Sequence, residues 1–563
     1  MSVLASLFMA GCSQEEIAPN GNGDGDGETT TNYMAVNLMS SDITRAADGY
    51  EDGTDVENTV TSVRFYFFTE NGAAANVKLQ GSSYVNYYDW TPGNGDQTDD
   101  KDGDDTESLL AATIVINTKS GDKLPQMMAA VLNPYGLDNA PKSLGDLEKI
   151  VDDYTTLTGK GEFVMFNSVY KDAGKGTKVC AVPIEAKHLQ RNIDDAKNNA
   201  VTIFVERSVA KVEVTLDSKI GFKDGRLALN NPPQEAGGTE EPIIIDGQQV
   251  YLELKGWDLT AETDNGRLVK AIDLNWLSTW WNGTHRSFWA LNSPSAKNRY
   301  NNYNNIDTPF ATALYTNENA AKLNDATNGL AANHTKVILQ GVLCKQDGTP
   351  LTLVRHLGVH FVDTYSADPA SNLPLLKKSI LSQLKANGKN YYYETEGAGG
   401  VKERIPIDTD DLQIVNATPL AQENSQNNCY VYAQLSESGK AKTWYDSLSE
   451  TATPLANAET TINDTLKDKK VIDWALVWKS GMTYYYYEIV HHGKNSDPNS
   501  TKGVVRNHVY KTNVTKIAGL GTPVYDPSKT IYPEKPVAND HYIAAEINIL
   551  SWRIVDNDYA LEW

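Results

Sequence analysis

Residues 201–216, VTIFVERSVAKVEVTL, leave this chain few ways to fold. Val201, Ile203 and Val205 alternate with their neighbours, and after one slip near Glu206-Arg207 the alternation continues through Val209, Ala210, Val212, Val214 and Leu216. A period of two carried by β-branched residues predicts a strand with one face in a core. The charges of Glu206, Arg207, Lys211 and Glu213 predict a second face that is partnered or wet. The same signal recurs at 60–69, where Val63, Phe65 and Phe67 share a face, and at 84–90. Residues 111–117 and 127–133 read as paired core strands. Residues 336–343 and 351–361 read as a hairpin through Gln346-Asp347-Gly348-Thr349-Pro350, and 474–478 and 483–490 as strands. Helical spacing is rare: Leu375, Leu376, Ser379, Ile380, Gln383 and Leu384 form one stripe capped by Gly388, and a short helix is expected over 144–157. The chain is therefore mostly β with few short helices.

At 563 residues the chain can hold two domains plus a processed leader without crosslinks. Its formal charge of −23 excludes a polyanion partner such as nucleic acid, because nothing releases counterions from phosphates. Cys12, Cys180, Cys344 and Cys429 have no CxxC or Cys/His spacing, so they imply neither a metal site nor a disulfide framework; the last three read as buried thiols. His356 and His360 are four apart on what reads as one extended strand, roughly 13 Å from each other at about 3.3 Å per residue, too far to share a metal. His491-His492 point to opposite faces. The Asp-Gly-rich segment 93–107 breaks the spacing of a calcium loop. HExxH, Walker A and GxGxxG motifs are missing and no carboxylate pair stands out, so no catalytic residue, metal or cofactor is expected.

Both ends of the chain carry more specific signals. An apolar segment runs into Met9-Ala10-Gly11-Cys12, which resembles the bacterial lipobox, although no Lys or Arg precedes it. A Gly-, Asn- and Asp-rich tether follows. Residues 32–46, NYMAVNLMSSDITRA, then combine an alternating strand with a basic site. Met34, Val36 and Leu38 form its apolar face, and Arg45-Ala46 opens a polar Asp-Gly segment accessible to a trypsin-like protease. Two readings stand: an ordinary first strand with a loop after it, or a strand cut away to leave a groove that another chain's strand fills. At the other end Ile543, Ala545, Ile547 and Ile549 alternate, the phase slips to Leu550, Trp552 and Ile554, and Tyr559, Leu561 and Trp563 close the chain. So apolar a terminus must dock, on its own sheet or a neighbour's. Trp276, Trp280, Trp281 and Trp289 cluster between 271 and 291, where rings of this kind more often fill a sandwich core or rim than stack on sugars.

With these pieces in order, the chain resembles the Mfa1-type major fimbrial subunits of Bacteroidetes, within the wider fimbrillin group. The resemblance is carried by Met9-Ala-Gly-Cys12, Thr44-Arg45-Ala46, Val205-Glu-Arg-Ser-Val-Ala-Lys-Val212, His285-Arg-Ser-Phe-Trp-Ala290, Val505-Arg-Asn-His-Val-Tyr510 and the terminal strand with Trp552. It implies two transthyretin-like β-sandwich domains, which we place at 46–217 and 218–563, after a signal at 1–12 and a tether with a removable strand at 13–45. It implies lipidation of Cys12, a transient outer-membrane anchor, and cleavage between Arg45 and Ala46 by an Arg-specific surface protease. Polymerisation would follow by strand exchange, a donor strand bearing Trp552, Ile554, Tyr559, Leu561 and Trp563 replacing Met34, Val36 and Leu38 in the next copy. Burying three or four such side chains is worth roughly 5 to 12 kcal/mol before ordering costs. The implied role is a shaft subunit of a cell-surface fimbria supporting adhesion and biofilm formation, with other copies, accessory and anchor subunits, and host or bacterial surface ligands as partners. The alternatives are an anchor or tip subunit, which would keep its lipid or carry an extra binding domain, and a glycan-binding outer-membrane lipoprotein or glycosidase using the Trp cluster.

Overall fold

A computed structural model describes residues 30–39, 53–79, 84–94, 97–99, 108–118, 122–171, 177–231, 239–272, 290–319, 333–396, 402–417, 429–489, 491, 503–533, 541–550 and 554–557. The chain divides into two compact units, one of residues 1–209, 265–293 and 505–507, the other of 210–264, 294–504 and 508–563.

The first unit is built on β1 (Thr30–Met39), β2 (Val63–Phe68), β3 (Ser108–Thr118), β4 (Met127–Leu132), β5 (Met165–Asn167) and β6 (Val201–Arg207). They hydrogen-bond in the order β3-β1-β6-β5-β4-β2, extended at the two ends by short strands at 77–79 and 84–85 and at 87–90. The predicted pairing of 111–117 with 127–133 is thus corrected: β3 and β4 are both core strands, but β1, β6 and β5 lie between them. A hairpin pairing is local, whereas here strands far apart in sequence bury more apolar surface by inserting between them. On β2 the expected face of Val63, Phe65 and Phe67 is buried, but so is the opposite one with Tyr66 and Phe68. That second face is closed by Arg64, which forks onto Asp89 (2.6 and 2.8 Å), donates to the Asp138 carbonyl and lies over the Tyr87 ring. The helix expected over 144–157 is only a four-residue turn at Leu144–Leu147 with a 3₁₀ segment at Tyr154–Lys160, the two separated by a short strand at Val151–Asp152.

Segments from the second half of the sequence complete this unit. Gly266 and Arg267 pair with Asp152 and Val151, and Leu268 N–H donates to the Ile150 carbonyl at 3.0 Å. The buried Arg506 donates to the carbonyls of Leu268, at 2.9 Å, and Arg267. We predict that a fragment ending at Val209 fails to fold, because the carbonyls and charges these segments satisfy are left buried and unpaired. Circular dichroism and chemical-shift dispersion of the fragment check this, and a cooperative unfolding transition in it would refute the prediction.

Residues 201–216 form two strands, not one. β6 ends at Arg207, and β7 (Val209–Leu216) pairs in a different sheet, so the slip in the alternation marks where the chain leaves the first unit. The second unit continues with β8 (Tyr251–Thr260), β9 (Lys336–Cys344), β10 (Leu353–His356), β11 (Val359–Val362), β12 (Tyr430–Leu435), β13 (Ala475–Trp478), β14 (Met482–Glu488), β15 (Val509–Gly519), β16 (His541–Leu550) and β17 (Ile554–Asn557). One five-stranded sheet orders 314–317, β7, β15, β16, β17; another orders 226–228, β8, β9, β14, 522–523. Val212, Val214, Tyr510 and Val514 from the first meet Leu252, Trp257, Leu339 and Tyr485 from the second in one core, a β-sandwich.

A third sheet, β11-β10-β13-β12 with 412–416, serves two cores at once. Leu353 and Trp478 turn toward the sandwich, while their neighbours Val354 and Val477 turn toward helices α1 (Pro374–Ala386) and α2 (Ala458–Lys467), where Leu376, Ile380, Leu384, Ile462 and Leu466 are buried. The stripe of α1 is the one its sequence spacing gives, except that Leu375 is exposed, and Gly388 sits at a positive φ just past the end. The expected hairpin of 336–343 with 351–361 closes only at its root, through the Cys344–Pro350 bridge, before β10 joins the third sheet. Nor is 351–361 one extended strand: Leu357 and Gly358, both at positive φ (52° and 76°), turn β10 back into β11. His356 is buried between Ser379 and the Asp473 carbonyl, at 2.7 and 3.1 Å. Of the thiols, Cys180 and Cys344 are buried and Cys429 is half-buried.

On β8, Asp258 has its carboxyl pushed up to about 7, first by burial and further by the nearby charges of Glu262 and Asp307. A folded-state value above the unfolded one means its stability contribution is complete at low pH and is lost as pH rises toward and past 7. Asp258→Asn is therefore expected to match the wild type near pH 4 and to be more stable at pH 8 by up to about 4 kcal/mol, the free-energy equivalent of that rise. Thermal midpoints at the two pH values measure it.

Candidate assembly groove

β1 is an inner strand of its sheet, hydrogen-bonded on both edges. All ten of its residues pair antiparallel with β3, from Thr30 opposite Thr118 to Met39 opposite Leu109. On the other edge Val36–Met39 pair in parallel with Val201–Phe204 of β6. Nearer its start, Tyr33 exchanges two main-chain bonds with Gln190, N–H to carbonyl at 2.7 and 2.9 Å. Asn32 adds a side-chain bond to Thr118 at 3.0 Å.

Side chains follow the pleat. Met34, Val36 and Leu38 are 0, 0 and 2 % exposed, and their neighbours in register are Ile114, Ala112 with Val201, and Leu110 with Ile203, all buried. Ala35 on the opposite face is buried as well. Three apolar side chains removed this fully from water contribute roughly 5 to 9 kcal/mol. Taking β1 out would leave two facing rows of unpaired main-chain groups on β3 and β6 above an empty apolar floor, which is a slot shaped for one extended segment.

The β6 wall of this slot is braced from its far side. Glu206 accepts from Lys270 at 3.2 Å and from the Ser168 hydroxyl at 3.1 Å, with the two ionic side chains 5 and 1 % exposed. Arg207 donates to the Glu57 carbonyl at 3.1 Å and to Asn58, and its own N–H meets Asn507 Oδ1 at 3.3 Å. The charges on 201–216 were expected on a partnered or wet face; Glu206, Arg207 and Lys211 are buried and partnered. Lys211 pairs with Glu213 on its own strand, but the partners of Glu206 and Arg207 lie tens to hundreds of residues away, so a local pattern carried no sign of Lys270, Asn507 or Gln190.

At the other end, β16 pairs with β15 from His541 opposite Gly519 to Leu550 opposite Val509, with a bulge between Val514 and Lys516. β17 folds back on β16 and forms the edge of that sheet. The main chain of 541–550 is thus docked on its own sheet. Ile554 lies on β17, and its side chain is outside the described residues, as are Cys12, Arg45, Ala46, Trp552, Tyr559, Leu561, Trp563 and the four tryptophans of 276–289. Trp257 is buried in the sandwich core and donates to the Pro309 carbonyl at 3.1 Å. Among the described residues no group of three or more His, Cys, Asp or Glu could hold a metal ion, and no helix is long and apolar enough to cross a membrane.

No curated protein sequence matches the chain. A fimbrillin from Porphyromonas gingivalis W83 aligns over 92% of this chain and 96% of its own at 12% identity and a TM-score of 0.34. The tip fimbrial protein Mfa3 from Porphyromonas gingivalis, with a C-terminal truncation, aligns over 93% of this chain and 100% of its own at 11% identity and a TM-score of 0.28. A fimbrial assembly protein from Parabacteroides distasonis ATCC 8503 aligns over 68% of this chain and 98% of its own at 12% identity and a TM-score of 0.27. Residues 477–558, from the end of β13 through β14, β15, β16 and β17, match the family model of the major fimbrial subunit protein type IV, fimbrillin, C-terminal region. By that match, residues 477–558 of this chain are similar to the C-terminal region of fimbrillin, the major fimbrial subunit protein type IV.

Proposed function

We propose that this chain is the repeating shaft subunit of its fimbria, with a structural and not a catalytic role. It is exported as a lipoprotein on Cys12, held transiently at the outer membrane, and cut between Arg45 and Ala46. The cut frees β1, and the C-terminal segment of another copy, bearing Trp552, Ile554, Tyr559, Leu561 and Trp563, enters the vacated slot. The observation that carries this reading is the position of β1: an inner strand paired on both edges, six residues before a basic site, so that its loss opens a slot in mid-sheet. An edge strand would leave no second wall.

N-terminal sequencing of protein taken from the cell surface tests the cleavage, with Ala46 as the expected first residue. Electrophoresis without boiling tests the polymer, with SDS-resistant ladders expected from cleaved protein and none after deletion of Tyr559–Trp563. Mature material that begins at a lipidated Cys12 and gives no ladder would assign the chain to an anchor or tip position instead.

A further inference from the structure

The two walls of the slot are unequal. β3 runs the whole length of β1, but β6 begins at Val201 and reaches back only to Val36. Along the first half of β1 the second wall is a strap, residues 185–199, made of a 3₁₀ turn at Ala186–His188, the Gln190 bridge and a helix at Ile193–Asn198. Both ends of the strap are fixed: Val182 and Pro183 pair with β4, Ile184 N–H donates to the Gln126 carbonyl at 2.8 Å, and Val201 starts β6.

Between those ends its buried side chains are those of His188 and Ala196. Its helix has six residues, too few to be stable without docking, and Ala196 is its buried side chain while Ile193 stays 43 % exposed. Bonds within it run from Glu185 N–H to His188 Nδ1 at 3.0 Å, Gln190 Nε2 to the Lys187 carbonyl at 2.6 Å, and Asp195 N–H to Asn192 Oδ1 at 2.8 Å. One residue, Gln190, joins it to β1 by main-chain bonds, where β6 uses four.

We infer that the strap is the moving wall of the slot: it swings out between its fixed ends to release the first half of β1 and to admit an incoming strand there, then closes on that strand through Gln190. The second half, between β3 and β6, is a fixed trench. The strap therefore sets how fast strands exchange. The link to polymerisation rests on the shaft reading proposed above; the motion itself does not.

Amide hydrogen exchange on the full, uncleaved chain tests the motion. The amides of Tyr33 and Gln190, bonded to each other, are expected to exchange at least about tenfold faster than the laddered amides of 36–39 and 201–204, because local opening follows the weaker attachment. Equal protection of the two halves overturns the inference. For rate, Gln190→Pro removes the donor to Tyr33, and Asn192→Ala removes an exposed helix cap within the strap while leaving β3, β6 and Gln190 unchanged. Either variant, once cleaved, is expected to form ladders about two- to fivefold faster than wild type at comparable thermal stability. Wild-type or slower rates in Asn192→Ala overturn it too. A wild-type chain that never polymerises removes the shaft reading and leaves the exchange comparison to decide the strap.

Discussion

Val36→Asp in the full chain is expected to loosen β1 from its sheet and expose Arg45 to trypsin many times faster than in wild type. Val36 is fully buried, with Ala112 and Val201 on either side in register. An aspartate there loses two methyl groups of burial and places a carboxylate between the uncharged side chains of Ala112 and Val201. An unpaired buried charge costs several kcal/mol, comparable to the roughly 5 to 9 kcal/mol by which Met34, Val36 and Leu38 hold the strand. The carboxyl escapes most cheaply by leaving with its strand. Asn37→Asp is the control: on the same strand but half-buried, it is expected to change the cutting rate by less than about twofold, as surface substitutions usually do. Limited proteolysis with mass spectrometry reads both, and equal rates for the two variants would show that β1 is not held by this face.

The second large effect is expected at the brace. Lys270→Met leaves Glu206 buried with the Ser168 hydroxyl as its remaining described side-chain donor, and should lower the stability of the first unit by about 3 to 5 kcal/mol. Glu206→Gln with Lys270→Met removes both charges and should recover most of that loss, since replacing a whole buried pair by neutral groups is often close to neutral. Chemical denaturation of wild type, both single variants and the double variant completes the cycle. A coupling energy near zero would mean that Lys270 stabilises β6 by packing alone. Because β6 is the fixed wall of the slot, Lys270→Met should also speed trypsin cutting at Arg45, whereas Lys211→Met, with its partner Glu213 only partly buried, should leave it unchanged.

Much of the molecule was readable before its structure. Period-two runs placed β1, β2, β6, β7 and β16, and the buried face of β1, β2, β6 and β7, because a strand's side-chain alternation is a local property that a core-facing row must obey. The stripe of α1 was readable for the same reason at a period of 3.6. What the alternation does not encode is the neighbour. Nothing in Met34, Val36 and Leu38 says that their strand lies between β3 and β6, or that it runs parallel to one and antiparallel to the other. Any segment with the right face could fill that place, and the choice is made by the total surface buried.

Tertiary structure alone decided three further matters. It split VTIFVERSVAKVEVTL between two units at Ser208, because each half finds a better-matched core in a different sheet. It placed Lys270 and Arg506, from the far half of the sequence, in the first unit, where buried charge and carbonyl groups needed partners that local sequence could not supply. And it replaced β6 by Gln190 and a short strap along the first half of β1, an arrangement with no periodic signal at all. The sequence by itself determined which residues turn inward and that a basic residue, Arg45, follows the first strand. Where that strand sits, and so whether its removal opens a two-walled slot, was settled by long-range pairing, since main-chain hydrogen bonds between strands are indifferent to side-chain identity.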